Sequence, residues 1–330
     1  MGHDAGSASA GGSDLPPVDC GVVVVTYNSA ADICGLLDSI GPAMRPLHAS
    51  ALAGRPPSWR VVVVDNDSTD HTVPLVAARG DAIVVRAGAN LGYAGGINLG
   101  RRCAGPRAST LILNPDLRLA PGAAALLIAE LADPTVGVAA PLLQDPDGTT
   151  LRSLRRDPTP LRALGEALLG DHLPWRPAWA SELVRTPAAY AVAGDADWVT
   201  GAAMLISEAC DRAVGDWDER FFLYSEEVDF AVRCRRAGYR VRFCPQARAM
   251  HREGGSGQSS DLVALMALSR VRCYQKLHGG AGAARYRAAN LLHELLRCRD
   301  NGHRAALRCL IRLAPPPSLA ALVPAADAGQ

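Results

Sequence analysis

Val61-Val62-Val63-Val64-Asp65-Asn66-Asp67-Ser68-Thr69-Asp70 is a β-branched run that stops in a cluster of carboxylates, an amide and hydroxyls. A continuous apolar run bounded by polar turn residues suits a strand buried on both faces, as in a parallel sheet. In an open α/β sheet, ligands bind beyond the carboxyl ends of the strands, which is where this polar cluster falls. The layout recurs. Val22 to Val25 runs into Thr26-Tyr27-Asn28, and Leu111 to Leu113 runs into Asn114-Pro115-Asp116. Ile83 to Val85 is a further short run of the same kind. Between the runs, Ala30 to Ile40, Thr72 to Arg79 and Gly95 to Cys103 are helix-like, and Pro121 to Leu131 reads as another helix with proline in its first turn. Strand and helix alternating in this order predict an α/β fold with a central, mostly parallel sheet flanked by helices.

Outward from this core the patterns change. From Val136 to Arg156 they shorten, and Pro158 to Pro187 reads as loop, with Trp175 and Trp179 close together. A second ordered block runs from Asp195 to about Ser256. Helical patterns follow, with Ala288, Leu291, Leu292, Leu295 and Leu296 on one face. The tail beyond Pro315 is Pro/Ala-rich and expected to fray. Met1 to Pro17 lacks a basic n-region and an apolar h-region, so it reads as a disordered leader rather than a secretory signal. The predicted division is a leader over 1–17, a catalytic domain over 18–260 and a C-terminal helical extension over 261–330. No apolar stretch approaches the ~20 residues needed to span a bilayer. The net charge of +1 provides no basic field of the kind nucleic-acid binders carry, and no nucleic-acid partner is expected. The nine cysteines, scattered from Cys20 to Cys309 without a CxxC pair, read as reduced, buried thiols of a cytoplasmic protein.

Several stretches carry chemistry. Asp65 is suited to accept hydrogen bonds from a base or a ribose; Asn28, Ser29, Ser68 or Asp70 could equally cap helices. Asn90-Leu91-Gly92-Tyr93-Ala94-Gly95-Gly96-Ile97-Asn98-Leu99-Gly100 offers glycines that let backbone approach a ligand, and asparagines that donate and accept. It is not a GxGxxG fingerprint and lies too far along the chain for the first βα turn, which disfavours a dinucleotide oxidoreductase. Asp116 at a strand end, with diphosphate oxygens and water, would make a sensible octahedral site for Mg2+ or Mn2+. In Phe221-Phe222-Leu223-Tyr224-Ser225-Glu226-Glu227-Val228-Asp229, Glu226 and Asp229 share a helix face, and paired carboxylates can divide the work of base and hydrogen-bond acceptor; alternatively, one of them orients Arg233, or the cluster is a solvated acidic helix start. His251, ahead of Gly254-Gly255-Ser256-Gly257, can be a metal ligand or a lid hinge.

In order and spacing, these motifs resemble the family 2 inverting glycosyltransferases of GT-A fold, over roughly Val22 to Ser256. Thr26-Tyr27-Asn28 is similar to the family's opening (P/T)-Y-N motif. Asp65 to Asp70 is similar to its D-N-x-S-x-D nucleoside site, and Asn90 to Gly100 to its glycine loop. Asn114-Pro115-Asp116 stands where the family has D-x-D, with Asn in the first place. Glu226-Glu227 stands where the family has E-D, whose second acid is the general base; here that acid is Glu. The branch that looks most similar is that of rhamnosyltransferases acting on polyprenyl-diphosphate-linked GlcNAc, through Asp147-Gly148-Thr149, Ser153-Leu154-Arg155, Trp198 to Ala202 and Phe222 to Asp229.

The resemblance implies a nucleotide-diphosphate sugar donor, L-rhamnose from dTDP-rhamnose being one candidate, and a glycan or polyprenyl-linked acceptor. It implies donor contacts from Thr26, Tyr27, Asn28, Asp65, Asn66, Ser68, Asn90, Gly92, Asn98 and Asn114, with Arg155 adding a contact to the diphosphate. Trp198, Gly201, Glu226 and Asp229 would meet the acceptor, Asp116 and His251 would hold Mg2+ or Mn2+, and Glu227 would be the base.

Two rivals differ in class. A sugar-1-phosphate nucleotidyltransferase needs a basic, glycine-rich loop after the first strand, where this chain has no Lys or Arg until Arg45. A non-catalytic sugar-nucleotide-binding module would not need Asp116, Glu227 and His251 together. Arg285, Arg287, Arg297, Arg299, Arg304, Arg308 and Arg312 beside leucine-rich faces predict peripheral contact with an anionic membrane at its inner face.

Overall fold

The computed structural model describes residues 15–46, 55–170, 176–252 and 259–323. The elements are β1 (Val18–Thr26), α1 (Ile33–Met44), β2 (Trp59–Asp65), α2 (Thr72–Arg79), β3 (Ile83–Arg86), α3 (Gly92–Cys103), β4 (Arg107–Leu113), β5 (Leu117–Leu119), α4 (Ala123–Glu130) and β6 (Val136–Gln144). There follow β7 (Leu154–Arg155), α5 (Pro160–Leu169), β8 (Gly194–Ala196), β9 (Trp198–Val199), β10 (Ala203–Ser207), α6 (Glu208–Val214), α7 (Glu226–Arg236), β11 (Arg240–His251), α8 (Ser260–His278), α9 (Gly280–Leu296) and α10 (Asn301–Arg312).

One sheet dominates, in the order β3-β2-β1-β4-β10-β6-β11-β5 with β8 added to β11; β7 and β9 form a separate ribbon. β1, β2, β3 and β4 are parallel, as the alternation predicts, and β10 runs antiparallel between β4 and β6. The valines of β1 and β2 and Leu111 to Leu113 of β4 are buried because helices cover both faces of these strands. β3 departs from its expectation: it is the sheet edge, and Ile83 is exposed. The stretch after Val136 also differs, since β6 is a nine-residue strand buried almost throughout. Its Gly137, Pro141 and alanines hid a strand wedged between two neighbours, where small side chains fit.

Loop was expected over Pro158–Pro187, yet it contains α5, started by the Thr159 side chain accepting from the Arg162 amide and by Pro160 in the first turn. The end of the chain also departs from expectation. Val323 is buried in a cluster with Phe222 and Leu265, so order extends past Pro315. On α9 the buried residues are Tyr286, Ala289, Asn290 and Glu294, while Leu295 and Leu296 face solvent. α8, α9 and α10 pack with Ala163 of α5 into a core of their own. Residues 1–14, the Gly/Ser loop after His251 and Trp175 lie outside the described residues.

Candidate active site

The ends of β1 and β2 are tied into one shelf. Thr26 Oγ1 lies 3.2 Å from both Val64 O and Asp65 Oδ1, and Asp65 Oδ2 accepts from the Ser68 amide at 3.0 Å. The Asn28 amide donates to Ser68 Oγ at 2.8 Å, and Asn28 Oδ1 accepts from the Thr69 amide at 2.8 Å. Asn28 (φ 51°) and Asp67 (φ 66°) are left-handed, a conformation Asn and Asp tolerate better than most side chains. Tyr27 is left exposed on the rim. Asn66 donates through Nδ2 to Gly92 O at 2.8 Å, and its buried Oδ1 has no hydrogen-bond partner among the described residues.

The glycine loop does something other than the expected close approach to a ligand. Gly92 has φ +73°, and a Cβ there would stand 2.1 Å from Phe222 O. The Tyr93 amide donates to that same carbonyl at 2.8 Å, so the start of α3 clamps the segment leading to Glu226 and Glu227. Cβ atoms at Gly96 and Gly100 would collide with Val25 and Val23, so those glycines let α3 close onto β1. Asn98 is likewise an internal strut. Its amide donates to Trp217 O and Glu219 Oε1, and its oxygen accepts from the Trp217 amide and from Arg101. All four of its hydrogen-bonding positions are occupied by protein, which removes it from the expected donor contacts. Asn90 Oδ1 accepts from the Gly92 amide at 3.0 Å and holds the turn.

Past β4, the Asn114 amide donates to Ala202 O at 2.8 Å, which fixes the turn that carries Asp116. β5 pairs with the end of β11, Leu117 opposite His251, after an irregularity in β11 between Cys244 and Arg248. That pairing brings His251 Nε2 to 3.2 Å from Asp116 Oδ1. Burial works to raise the Asp116 carboxyl, but His251, a backbone amide and Arg118 together hold the pKa below its usual value. A carboxylate oxygen and an imidazole nitrogen converging at a strand end fit a divalent cation.

α7 is preceded by Tyr224 (φ 70°) and Ser225 (φ 69°), two consecutive left-handed residues. Each costs roughly 1–2 kcal/mol, and the strain sits directly before the acids, where backbone strain at functional sites collects. Glu226 is buried, its Oε2 unpartnered; burial and then Glu227 push its pKa far above the carboxylate range. Burial pushes Glu227 up to about 7, with Arg155 pulling it down and Glu182 pushing it further up. Asp229 was expected at the acceptor, and the structure assigns it otherwise. It is wholly buried, with Lys276 Nζ 2.5 Å from Oδ1 and Arg233 Nε 2.8 Å from Oδ2. The Lys276 pair ties α7 to α8, and the Arg233 pair closes one turn within α7.

Tyr93 lies within electrostatic reach of both the α7 acids and Asp116. Its hydroxyl donates to Gly201 O at 3.1 Å, and after burial the charges of Glu226, Glu227 and Asp116 raise its pKa. A Cβ on Gly201 would touch the Glu227 Cβ at 3.4 Å. In the sequence, the signal for Tyr93 is a hydroxylated aromatic amid the small residues of the glycine loop. On the far side of Glu227 is a cavity of about 260 Å³, lined among others by Arg155, Glu182, Trp198, Glu227, Arg270 and Tyr286. Trp198 donates through Nε1 to Arg156 O, and the Arg155 guanidinium lies 5.6 Å over its ring. Arg270 and Tyr286 come from the helices beyond residue 260, and no motif marked them.

The model of a family described as Glycosyl transferase family 2 matches residues 21–180. The chain is 31% identical over 250 residues to N-acetylglucosaminyl-diphospho-decaprenol L-rhamnosyltransferase of Mycobacterium tuberculosis, covering 71% of this chain and 76% of that protein. It is 27% identical to the low-salt glycan biosynthesis hexosyltransferase Agl10 of Haloferax volcanii, covering 71% and 67%. Among solved structures, it is similar in fold to the mannosyltransferase PcManGT of Pyrobaculum calidifontis in complex with GDP-Man and Mn2+ (TM-score 0.53, 19% identity, 94% and 80% covered). GalNAc-T7 with UDP, GalNAc and Mn2+ is comparably similar (TM-score 0.53, 16% identity), with 83% of this chain covered and 55% of that one. The chain therefore belongs to glycosyltransferase family 2, near its rhamnosyltransferase branch, and is a glycosyltransferase of GT-A fold.

Proposed function

We propose that the chain transfers a sugar, L-rhamnose from dTDP-rhamnose being the first donor to test, to a hydroxyl of a glycan or lipid-linked acceptor with inversion. The observation that carries the reading is the grouping around Tyr93. A carboxylic acid with its pKa near 7 and a carboxylate–imidazole pair act on the same phenol, one beside the cavity and the other at the strand ends. The M. tuberculosis relative's name supports the donor and the class of acceptor.

Glu227 takes the proton of the acceptor hydroxyl. The oxygen bonds to the anomeric carbon as the bond to the diphosphate breaks, and the nucleoside diphosphate leaves with the electron pair. Attack by the acceptor oxygen opposite the leaving group, assisted by one base and with no enzyme nucleophile, inverts the centre. A Mg2+ or Mn2+ ion on Asp116 and His251 would neutralise the charge developing on the diphosphate. Asp65, Asn66 and Ser68, with Thr26, Tyr27, Asn28 and Asn90 around them, form the shelf for the nucleoside. Trp198, Gly201 and Glu226 face the acceptor side. Glu226, kept protonated by burial, would there present an O–H donor.

Purified protein offered a panel of nucleotide-sugars with Mn2+ or Mg2+ tests this. Slow hydrolysis of one donor, abolished by EDTA, is expected; nucleotidyl transfer to a sugar 1-phosphate would place the chain in the rival class.

A further inference from the structure

α9 and α10 meet at a polar cluster that the transfer reaction does not use. Asp300 caps α10 by accepting from the amides of Gly302 and His303, which sets His303 in the first turn of that helix. From there His303 Nδ1 comes to 2.7 Å from Glu294 Oε2 on α9. His293, the neighbour of Glu294 in sequence, brings a second imidazole: its ring centroid is 5.9 Å from that of His303, and the rings are tilted by 52° rather than stacked. One ligand atom from each of His293, Glu294 and His303 lies within 4.8 Å of the other two. Glu294 is buried and both imidazoles are half-buried, so the cluster is walled on the protein side and can be reached from solvent.

Two imidazole nitrogens and one carboxylate oxygen are a three-ligand set for a Zn2+-class ion, with water in the fourth position. Tetrahedral donors about 2.0–2.1 Å from such an ion stand roughly 3.3 Å apart, a spacing that small side-chain rotations reach from this arrangement. Arg297 and Arg270 oppose a cation here, since both act on His293. Each is already engaged: Arg297 donates to the carbonyls of Ala167, Glu166 and His293, and Arg270 pairs with Glu182. They weaken the site without forbidding it, because the Glu294 carboxylate would touch the ion directly.

We propose that His293, Glu294 and His303 bind a Zn2+-class divalent cation that staples α10 to α9, at a site separate from Asp116 and His251. Mg2+ and Mn2+ suit the oxygen-rich surroundings of a diphosphate, whereas two imidazoles favour a softer ion. The staple reaches the cavity through the helix it holds. Tyr286, about two turns before His293 on α9, lines the cavity beside Glu227.

The test uses the full chain, stripped with EDTA, exchanged into metal-free buffer and titrated with Co2+ as an optical stand-in for Zn2+. Four-coordinate Co2+ absorbs visible light far more strongly than the octahedral Co2+ expected at Asp116. A strong visible band that saturates at a single equivalent and is displaced by Zn2+ is expected, and Asp116→Asn should keep it. His293→Gln and His303→Gln should each lose the band, bind Zn2+ at least ~10-fold more weakly by calorimetry and keep Mn2+-dependent donor hydrolysis. In His303→Gln the new amide can still donate to Glu294, so the metal-free fold is preserved. Zn2+ at about a hundredfold excess over its Kd should raise the Tm of the unmodified chain by roughly 3–4 °C, and both variants should lose most of that rise.

Absence of the band in the unmodified chain overturns the proposal and leaves the cluster an imidazole–carboxylate hydrogen bond only. A band kept in both histidine variants, or lost in Asp116→Asn, overturns it as well by placing the ion elsewhere. Equal Tm values for the metal-free chains separate a lost ligand from a lost fold, and if one histidine variant is destabilised the other decides. Absence of hydrolysis with every donor would refute the transferase reading and leave this result standing.

Discussion

Gly92→Ala separates two accounts of the glycine loop. If glycine is there so that a ligand can approach, alanine should weaken donor binding and leave the unliganded protein's stability nearly unchanged. The structure predicts the opposite order of effects. At φ +73° an alanine bears a left-handed backbone cost, and its Cβ would stand 2.1 Å from Phe222 O and 2.7 Å from Phe222 Cδ2. Relief requires moving the Phe222 carbonyl, which breaks the 2.8 Å bond from the Tyr93 amide. The backbone cost is roughly 1–2 kcal/mol and the lost bond about 1 kcal/mol, so about 2–3 kcal/mol is a minimum. For a protein of this size that is roughly a 3–4 °C fall in Tm. Gly80→Ala is the control, because Gly80 has φ +72° and nothing within 4 Å of an added Cβ. Scanning calorimetry without donor or metal should show Gly92→Ala losing clearly more than Gly80→Ala. Transfer should fall too, because residues 222–227 lead into the base. Equal Tm losses in the two variants would refute the clamp.

Other outcomes follow from the same geometry. Asp116→Asn should weaken cation binding and lower turnover, because a neutral amide is a poorer ligand for a hard cation; unchanged turnover in EDTA would show that the diphosphate charge is met by basic side chains instead. Transfer should rise with pH through about 7 as Glu227 ionises. The same shift bears on stability: with its folded pKa above the ordinary 4.5, Glu227 contributes stability fully below that value, and the contribution is lost as pH rises through about 7. Glu227→Gln should therefore gain Tm over the unmodified chain at pH 8 and little at pH 5, as differential scanning fluorimetry can read. Arg285, Arg299, Arg304, Arg308 and Arg312 are exposed near Leu295, Leu296 and Ile311, whereas Arg287 and Arg297 bond to backbone carbonyls. Flotation with anionic vesicles at low salt should carry the protein upward, and an absence of binding removes the membrane contact; among the described residues no helix is long and apolar enough to cross a bilayer.

The sheet was legible in the sequence because its parallel strands are buried on both faces and end in polar clusters. β6 was not, since alanine, glycine and proline blur the run that burial in the middle of the sheet permits. Motif spacing singled out Asp65, Asp116, Glu227 and His251, which the structure sets at strand ends and at the start of α7. It gave Asn98 to the donor, because a buried amide reads the same whether it meets substrate or a distant part of the chain, and it left Asp229 open between the acceptor and Arg233. Trp217 and Glu219 reach Asn98 from the segment before α7, and Lys276 reaches Asp229 from α8, so packing alone makes them partners, whereas Arg233 lies one turn along α7 from Asp229. Arg270 and Tyr286 were invisible for a similar reason, being single residues on helices whose packing alone brings them to the cavity.

The account stands most directly on the assignment of Glu227 as base. Donor binding by calorimetry and transfer by product assay, measured on one preparation each of Glu227→Gln, Glu226→Gln and Asp229→Asn, decide it. Glu227→Gln keeps the shape and removes the basicity, so donor and metal binding should be nearly intact while transfer falls by ~10²-fold or more. Asp229→Asn should show its loss first in stability, since it leaves Lys276 and Arg233 without their shared carboxylate. Near-normal transfer by Glu227→Gln, with transfer abolished in a stably folded Glu226→Gln, would contradict the assignment.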